Sequence, residues 1–150
     1  SDGVHFSSIR HTFLNDFLAA MRPKISYLEK AKAIEESMTF YGLPYDFDFD
    51  FDTHSSLVCS EVVAKSFLNK VSFDYNRKGG VYVEEYLNRY SLPVIGILKK
   101  MVDENVNYLR PSELEFVGFL KGEPKKKNAR LASEKELYES VEWPKWSFMQ

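Results

Sequence analysis

The chain has 150 residues, of which 28% are charged and 15% aromatic, with a formal net charge of −2. That length suits one domain with a real core, and the near-neutral balance gives no electrostatic reason to expect nucleic acid as a partner. Its one cysteine, Cys59, excludes an internal disulfide framework, and neither a CxxC pair nor a Cys/His metal spacing occurs.

Taken in order, Val4, Phe6 and Ile9 followed by Phe13, Leu14, Phe17 and Leu18 predict a short strand and then a turn or two of helix before Arg22. Ser26-Tyr27-Leu28-Glu29 is a capping box. Apolar residues at Tyr27, Ala31, Ile34, Met38 and Tyr41 then keep a four-three-four-three spacing. With Gly42 placed to end the helix and Pro44 beyond it, the prediction is a helix over 27–41. Residues 45–51 read as a strand or an extended approach to a helix over 57–68. A turn over 76–80, a strand over 81–83 and a helical piece through Tyr90 follow. Pro93 fits the first position of a helix running toward Val102. No run of about 18 apolar residues exists, so no membrane span is predicted. Leu92–Leu98, the most apolar stretch, is too short and carries Pro93 and Gly96.

Pro111-Ser112-Glu113-Leu114 begins a turn before a strand over 116–121 closed by Gly122. Residues 125–130 read as a solvated basic linker; Lys125-Lys126-Lys127 is one short run without the interleaved aromatics of a nucleic-acid patch. Ser133 and Glu136 form a second capping box, heading a helix that ends before Pro144. Trp143 and Trp146 read as tail aromatics that pack back on the domain or form an interface. Helices and strands without regular alternation give an α+β class, with a domain over 1–124 and a linker and helical tail over 125–150.

The most informative stretch is Tyr45-Asp46-Phe47-Asp48-Phe49-Asp50-Phe51-Asp52 leading to Cys59-Ser60-Glu61. Alternation predicts phenylalanines on one face and carboxylates on the other. An EF-hand loop is absent, because Phe51 and Leu57 stand where glycine and a bidentate glutamate belong. No metal and no cofactor are expected. Cys59 falls in the first turn of its helix, where the positive end of the macrodipole favours thiolate over thiol. Glu61, two residues on, points about 200° around the helix and suits a structural pairing with a backbone group or an arginine. Ser60 suits donation at the helix start or a cap. Asp46 suits fixing the local geometry.

Gly42-Leu43-Pro44-Tyr45-Asp46-Phe47, Phe49 and Cys59-Ser60-Glu61-Val62-Val63 together resemble the circularly permuted NlpC/P60 cysteine peptidase and amidase superfamily, in its YiiX/YebB-like branch. Gly3-Val4, Arg22-Pro23 and Pro111-Ser112-x-Leu114 extend the likeness, which covers roughly residues 1–120 and is specific only over 45–63. The resemblance implies a papain-like fold, with a helix presenting the cysteine against a small antiparallel sheet. It implies Cys59 as nucleophile and Tyr45 as the residue that positions or polarises the scissile carbonyl. The family's histidine and its supporting acid lie upstream of the segment matched by Gly3-Val4, so the chain is expected to lack its first strands. The opening Ser1-Asp2-Gly3 fits a processed or truncated chain. His5 and His54 are open as base or bystander, and His11 reads as a surface residue.

The resulting expectation is a thiol hydrolase acting on an amide bond in a small peptide or peptidoglycan-like substrate. The resemblance alone suggests a bacterial envelope or periplasmic location. The alternatives are a non-catalytic peptide- or lipid-binding module of the same fold, and a lipid acyltransferase or thioesterase.

Overall fold

A computed structural model describes residues 3–13, 15, 17–48, 50–52, 54–73, 94–123 and 128–140. The elements expected over 76–90, the proline at 93, the lysines at 125–127 and both tryptophans lie outside the described residues. The class is α+β: five helices and a three-stranded antiparallel sheet among the described residues. The chain divides into two compact units, Ser1–Ser7 with Pro23–Glu115, and Ser8–Arg22 with Phe116–Gln150.

The second unit opens with helix α1 (Ile9–Thr12), where Ser8 Oγ accepts from the Arg10 amide at 3.3 Å. Strand β1 (Phe17–Pro23) follows. Helix therefore precedes strand, the reverse of the expected order, because the Ser8 cap starts a helix at Ile9 and leaves the later apolar run for the sheet. Strand β2 (Leu114–Glu123) is central in the order β1-β2-β3. Strand β3 (Asn128–Ala132) pairs antiparallel with it, setting Phe119 opposite Ala132 and Gly122 opposite Ala129. Gly122 thus continues the strand, and residues 128–130 form a ladder where a linker was expected. Polar side chains here fit an edge strand, whose backbone bonds do not need an apolar sequence. Phe17 stacks on Phe119 at 6.1 Å between ring centres. Helix α5 (Glu134–Ser140) starts at the expected capping box: Glu136 N donates to Ser133 Oγ at 3.2 Å and Ser133 N to Glu136 Oε2 at 3.0 Å. The Arg130 guanidinium, joined by the Ser133 amide, holds the Glu136 carboxyl down to about 2.

In the first unit helix α2 spans Tyr27–Thr39 with both halves of its capping box formed. Gly42, at φ +86°, carries the chain out of it. The buried face of α2 is not its apolar stripe. Only Ala33 is buried, while Tyr27, Ala31, Ile34, Met38 and Tyr41 all face solvent. Periodicity weights bulky residues, and a face centred on alanine is invisible to it; α2 packs by that face on helix α3 (Cys59–Ser66). Over residues 3–7 no strand forms, but Val4 N donates to Leu43 O and Gly42 N to Val4 O, both at 2.9 Å.

Helix α4 (Val94–Asn105) brings a buried charge cluster that the sequence did not announce. Lys100 pairs with Glu104 and, at 2.6 Å, with Glu113, whose Oε2 also accepts from Ser72 N and Oγ at 3.0 and 2.7 Å. Glu104 Oε2 in turn accepts from the Glu113 amide at 2.8 Å. Burial pushes the Glu113 carboxyl up, but the Lys100 and Ser72 hydrogen bonds outweigh it and hold it below the usual range. This cluster ties α4 to residue 72 and to the start of β2.

Candidate functional site

The chain enters α3 through Leu57 and Val58, both buried. Leu57 N donates to Pro44 O at 3.0 Å and Asp46 N to Leu57 O at 3.2 Å, an isolated parallel bridge that sets Tyr45 level with Leu57. Backbone pairing thus brings Tyr45 to a position two residues ahead of Cys59. The Tyr45 ring lies edge-on to Phe47 at 4.9 Å and packs against the apolar cluster of Phe51, Val58 and Ala64.

The aromatic–acidic alternation does not form a strand. Phe51 is 8% but Phe47 72% exposed, and Asp46 is buried while Asp48 and Asp52 are exposed, so the two faces do not segregate. Asp46 Oδ1 accepts from the Asp48 amide at 2.9 Å and Oδ2 from the Asp50 amide at 2.8 Å, while Asp50 Oδ1 accepts from the Asp52 amide at 3.1 Å. Short acidic side chains compete with a partner strand for these amides and coil the segment into successive turns. Asp46 has the geometric role expected of it. Among the described residues no group of three or more His, Cys, Asp and Glu side chains is placed to hold a metal ion.

Cys59 is the first residue of α3 and is exposed. The helix cap is Val58, with no side-chain acceptor of its own, so Ser60 is not a cap; it is buried in the second helical position. The end is secured instead by Glu61, whose Oε2 accepts from the Val58 amide at 3.4 Å. Glu61 is wholly buried, and its Oε1 lies 2.6 Å from Lys65 Nζ, so its cationic partner is a lysine where an arginine was a candidate. Burial pushes the Glu61 carboxyl up, against the pull of Lys65 and the Val58 amide, and the charge of Asp46 adds to the rise. At 100° per residue, Ser60, Glu61 and Ala64 form the inward side of the helix, and Cys59 and Val63 the opposite, outward side.

The histidines are engaged away from the sulfur. His54 Nδ1 lies 3.2 Å from Lys65 Nζ, and Lys65 sits about 120° around α3 from Cys59. His5 Nδ1 donates to Gly3 O at 3.0 Å from an exposed extended segment rather than a strand. His11 is exposed on α1 in the other unit. Among the described residues no imidazole hydrogen-bonds Cys59 Sγ. Lys65 is the neighbour that the sequence reading passed over, although its position four residues after Glu61 is the spacing of a helical ion pair.

No family model, curated protein or solved structure matches the chain. No helix among the described residues is long and apolar enough to cross a membrane.

Proposed function

We propose that this protein is a thiol hydrolase of papain-like, permuted NlpC/P60 type, cleaving an amide bond in a small peptide or peptidoglycan-like substrate through an acyl-enzyme on Cys59. The observation that carries the reading is the sole cysteine, solvent-exposed as the first residue of α3, with the Tyr45 backbone bridged alongside the residues that lead into it. The motif resemblance over 45–63 supports it.

In this mechanism Cys59 Sγ adds to the substrate carbonyl carbon, and the displaced electron pair resides on the carbonyl oxygen. The Cys59 amide, at the first position of α3 where no earlier helical carbonyl can accept from it, stabilises part of that oxyanion. Collapse breaks the C–N bond, and the departing amine takes up the proton released by the thiol. Water then attacks the thioester, freeing the acid and restoring the thiol. Tyr45 orients the carbonyl for the first attack.

A second reading, a peptide- or lipid-binding module without turnover, is favoured by one observation: the His5 and His54 Nδ1 atoms are engaged away from the sulfur. One experiment separates the two. Intact protein is treated with an iodoacetamide probe and assayed against peptide and muropeptide amides beside Cys59→Ala. The hydrolase reading requires single-site labelling and a loss of turnover above about a thousandfold in the variant. Saturable substrate binding with no turnover in either protein establishes the binding module instead.

A further inference from the structure

We infer that Val58 and Glu61 are a positioning pair for the hydrolase proposed above, keeping the Ser60 amide free as a second donor to the oxyanion beside the Cys59 amide; the inference rests on that reading. Helix α3 begins without the usual cap. Serine, threonine, aspartate and asparagine are favoured at the position Val58 occupies, and their side-chain oxygen takes the amide two or three residues on. Val58 brings no such acceptor. Its carbonyl oxygen accepts from the Glu61 and Val62 amides, both at 3.1 Å, whereas the Cys59 and Ser60 amides have no hydrogen-bond partner among the described residues. Ser60 is only 5% exposed. An unpaired amide on a buried residue is unfavourable, and an oxygen from outside the chain relieves it.

Glu61 secures the helix start that Val58 leaves uncapped. Its Oε2 accepts from the Val58 amide at 3.4 Å, upstream of the two open amides rather than at them. Lys65 Nζ, 2.6 Å from Oε1, offsets the carboxylate charge. A wholly buried carboxylate is an unfavourable way to hold a helix end, since a threonine at position 58 would do so with no buried charge. What the arrangement preserves is a pair of adjacent open amides, on the residue that carries the sulfur and on the next. Successive amides at a helix start are the groups that bind an anionic oxygen. As Cys59 Sγ adds to the carbonyl carbon, negative charge grows on the carbonyl oxygen, and both N–H groups donate to it.

The test measures kcat and KM for the full chain and its variants on the peptide or muropeptide amide that the intact protein turns over fastest, beside the rate of iodoacetamide alkylation. Alkylation passes through no oxyanion, so it reports the Cys59 thiol alone. Val58→Thr keeps the branched shape and adds an oxygen that takes the Ser60 amide. The expected result is a fall in kcat of at least about tenfold with KM within about twofold, while the alkylation rate and its pH profile hold. Glu61→Ala also lowers kcat, and Glu61→Gln, which keeps an oxygen for the Val58 amide, restores most of it. An unchanged kcat in Val58→Thr overturns the inference, as does a loss that alkylation follows in proportion or one in Glu61→Ala that Glu61→Gln does not relieve. Turnover that survives Cys59→Ala, or none in the intact protein, overturns the hydrolase reading and the inference with it.

Discussion

A β-carbon built on Gly3 would stand 2.1 Å from the carbonyl oxygen of Leu43. Gly3 also has φ +81°, a conformation that side chains resist, and the two bonds joining Val4 to residues 42 and 43 depend on that approach. Gly42 has nearly the same φ, +86°, but open space where its β-carbon would be. Gly3→Ala is therefore expected to cost about 3 kcal/mol and Gly42→Ala about 1 kcal/mol in urea unfolding. Equal losses at the two sites would refute the close approach.

Asp46 holds two amides with one carboxylate while nearly sealed from water. Removing it as Asp46→Ala leaves the Asp48 and Asp50 amides without that acceptor, at a cost of about 2–3 kcal/mol. Asp46→Asn, with one carbonyl oxygen in place of two carboxylate oxygens, loses part of that. The exposed Asp52→Ala stays within about 0.5 kcal/mol of the parent. Denaturant midpoints on the three variants check the ranking.

The buried Glu61 carboxyl has a folded-state pKa raised above 4.5, chiefly by burial. The folded chain then holds more protons than the unfolded chain just above 4.5, so stability falls as pH rises through that window. Glu61→Gln, which cannot ionise, removes this descending segment from a plot of unfolding free energy against pH. A slope unchanged in the variant would assign the effect to another group.

Lys100 neutralises two carboxylates in the first unit. Lys100→Met strands the Glu104 charge in a dry site and costs about 3–5 kcal/mol. Adding Glu104→Gln removes the stranded charge and keeps an oxygen for the Glu113 and Leu114 amides. The double variant is thus more stable than Lys100→Met alone, with a coupling of at least ~1 kcal/mol. Additive losses in the cycle would contradict that account.

What the sequence disclosed were features coded by neighbours in the chain. Ser26 with Glu29, Ser133 with Glu136, and Gly42 each specify a helix end through bonds or a backbone angle within a few residues, and each stands where it was expected. The start of α3 at Cys59 belongs to the same class. What it concealed were features fixed by distant partners or by small side chains. Asp46 alternates like a strand residue, but with only an isolated bridge at Tyr45 its carboxylate takes up the amides that follow. Residues 128–130 look solvated, and it is the antiparallel alignment with β2 that makes them a strand. The Lys100 cluster joins positions 72, 100, 104 and 113, a conjunction no local pattern encodes.

The bridge between Tyr45 and Leu57 is made wholly of main-chain atoms. Its register is set by the main chain, while the Tyr45 ring, packed on Phe51, Val58 and Ala64, ties the same position to the apolar cluster. The entry to α3 is thereby held twice over, by main-chain bonds and by a ring seated on apolar neighbours, and Cys59 opens its helix on that footing.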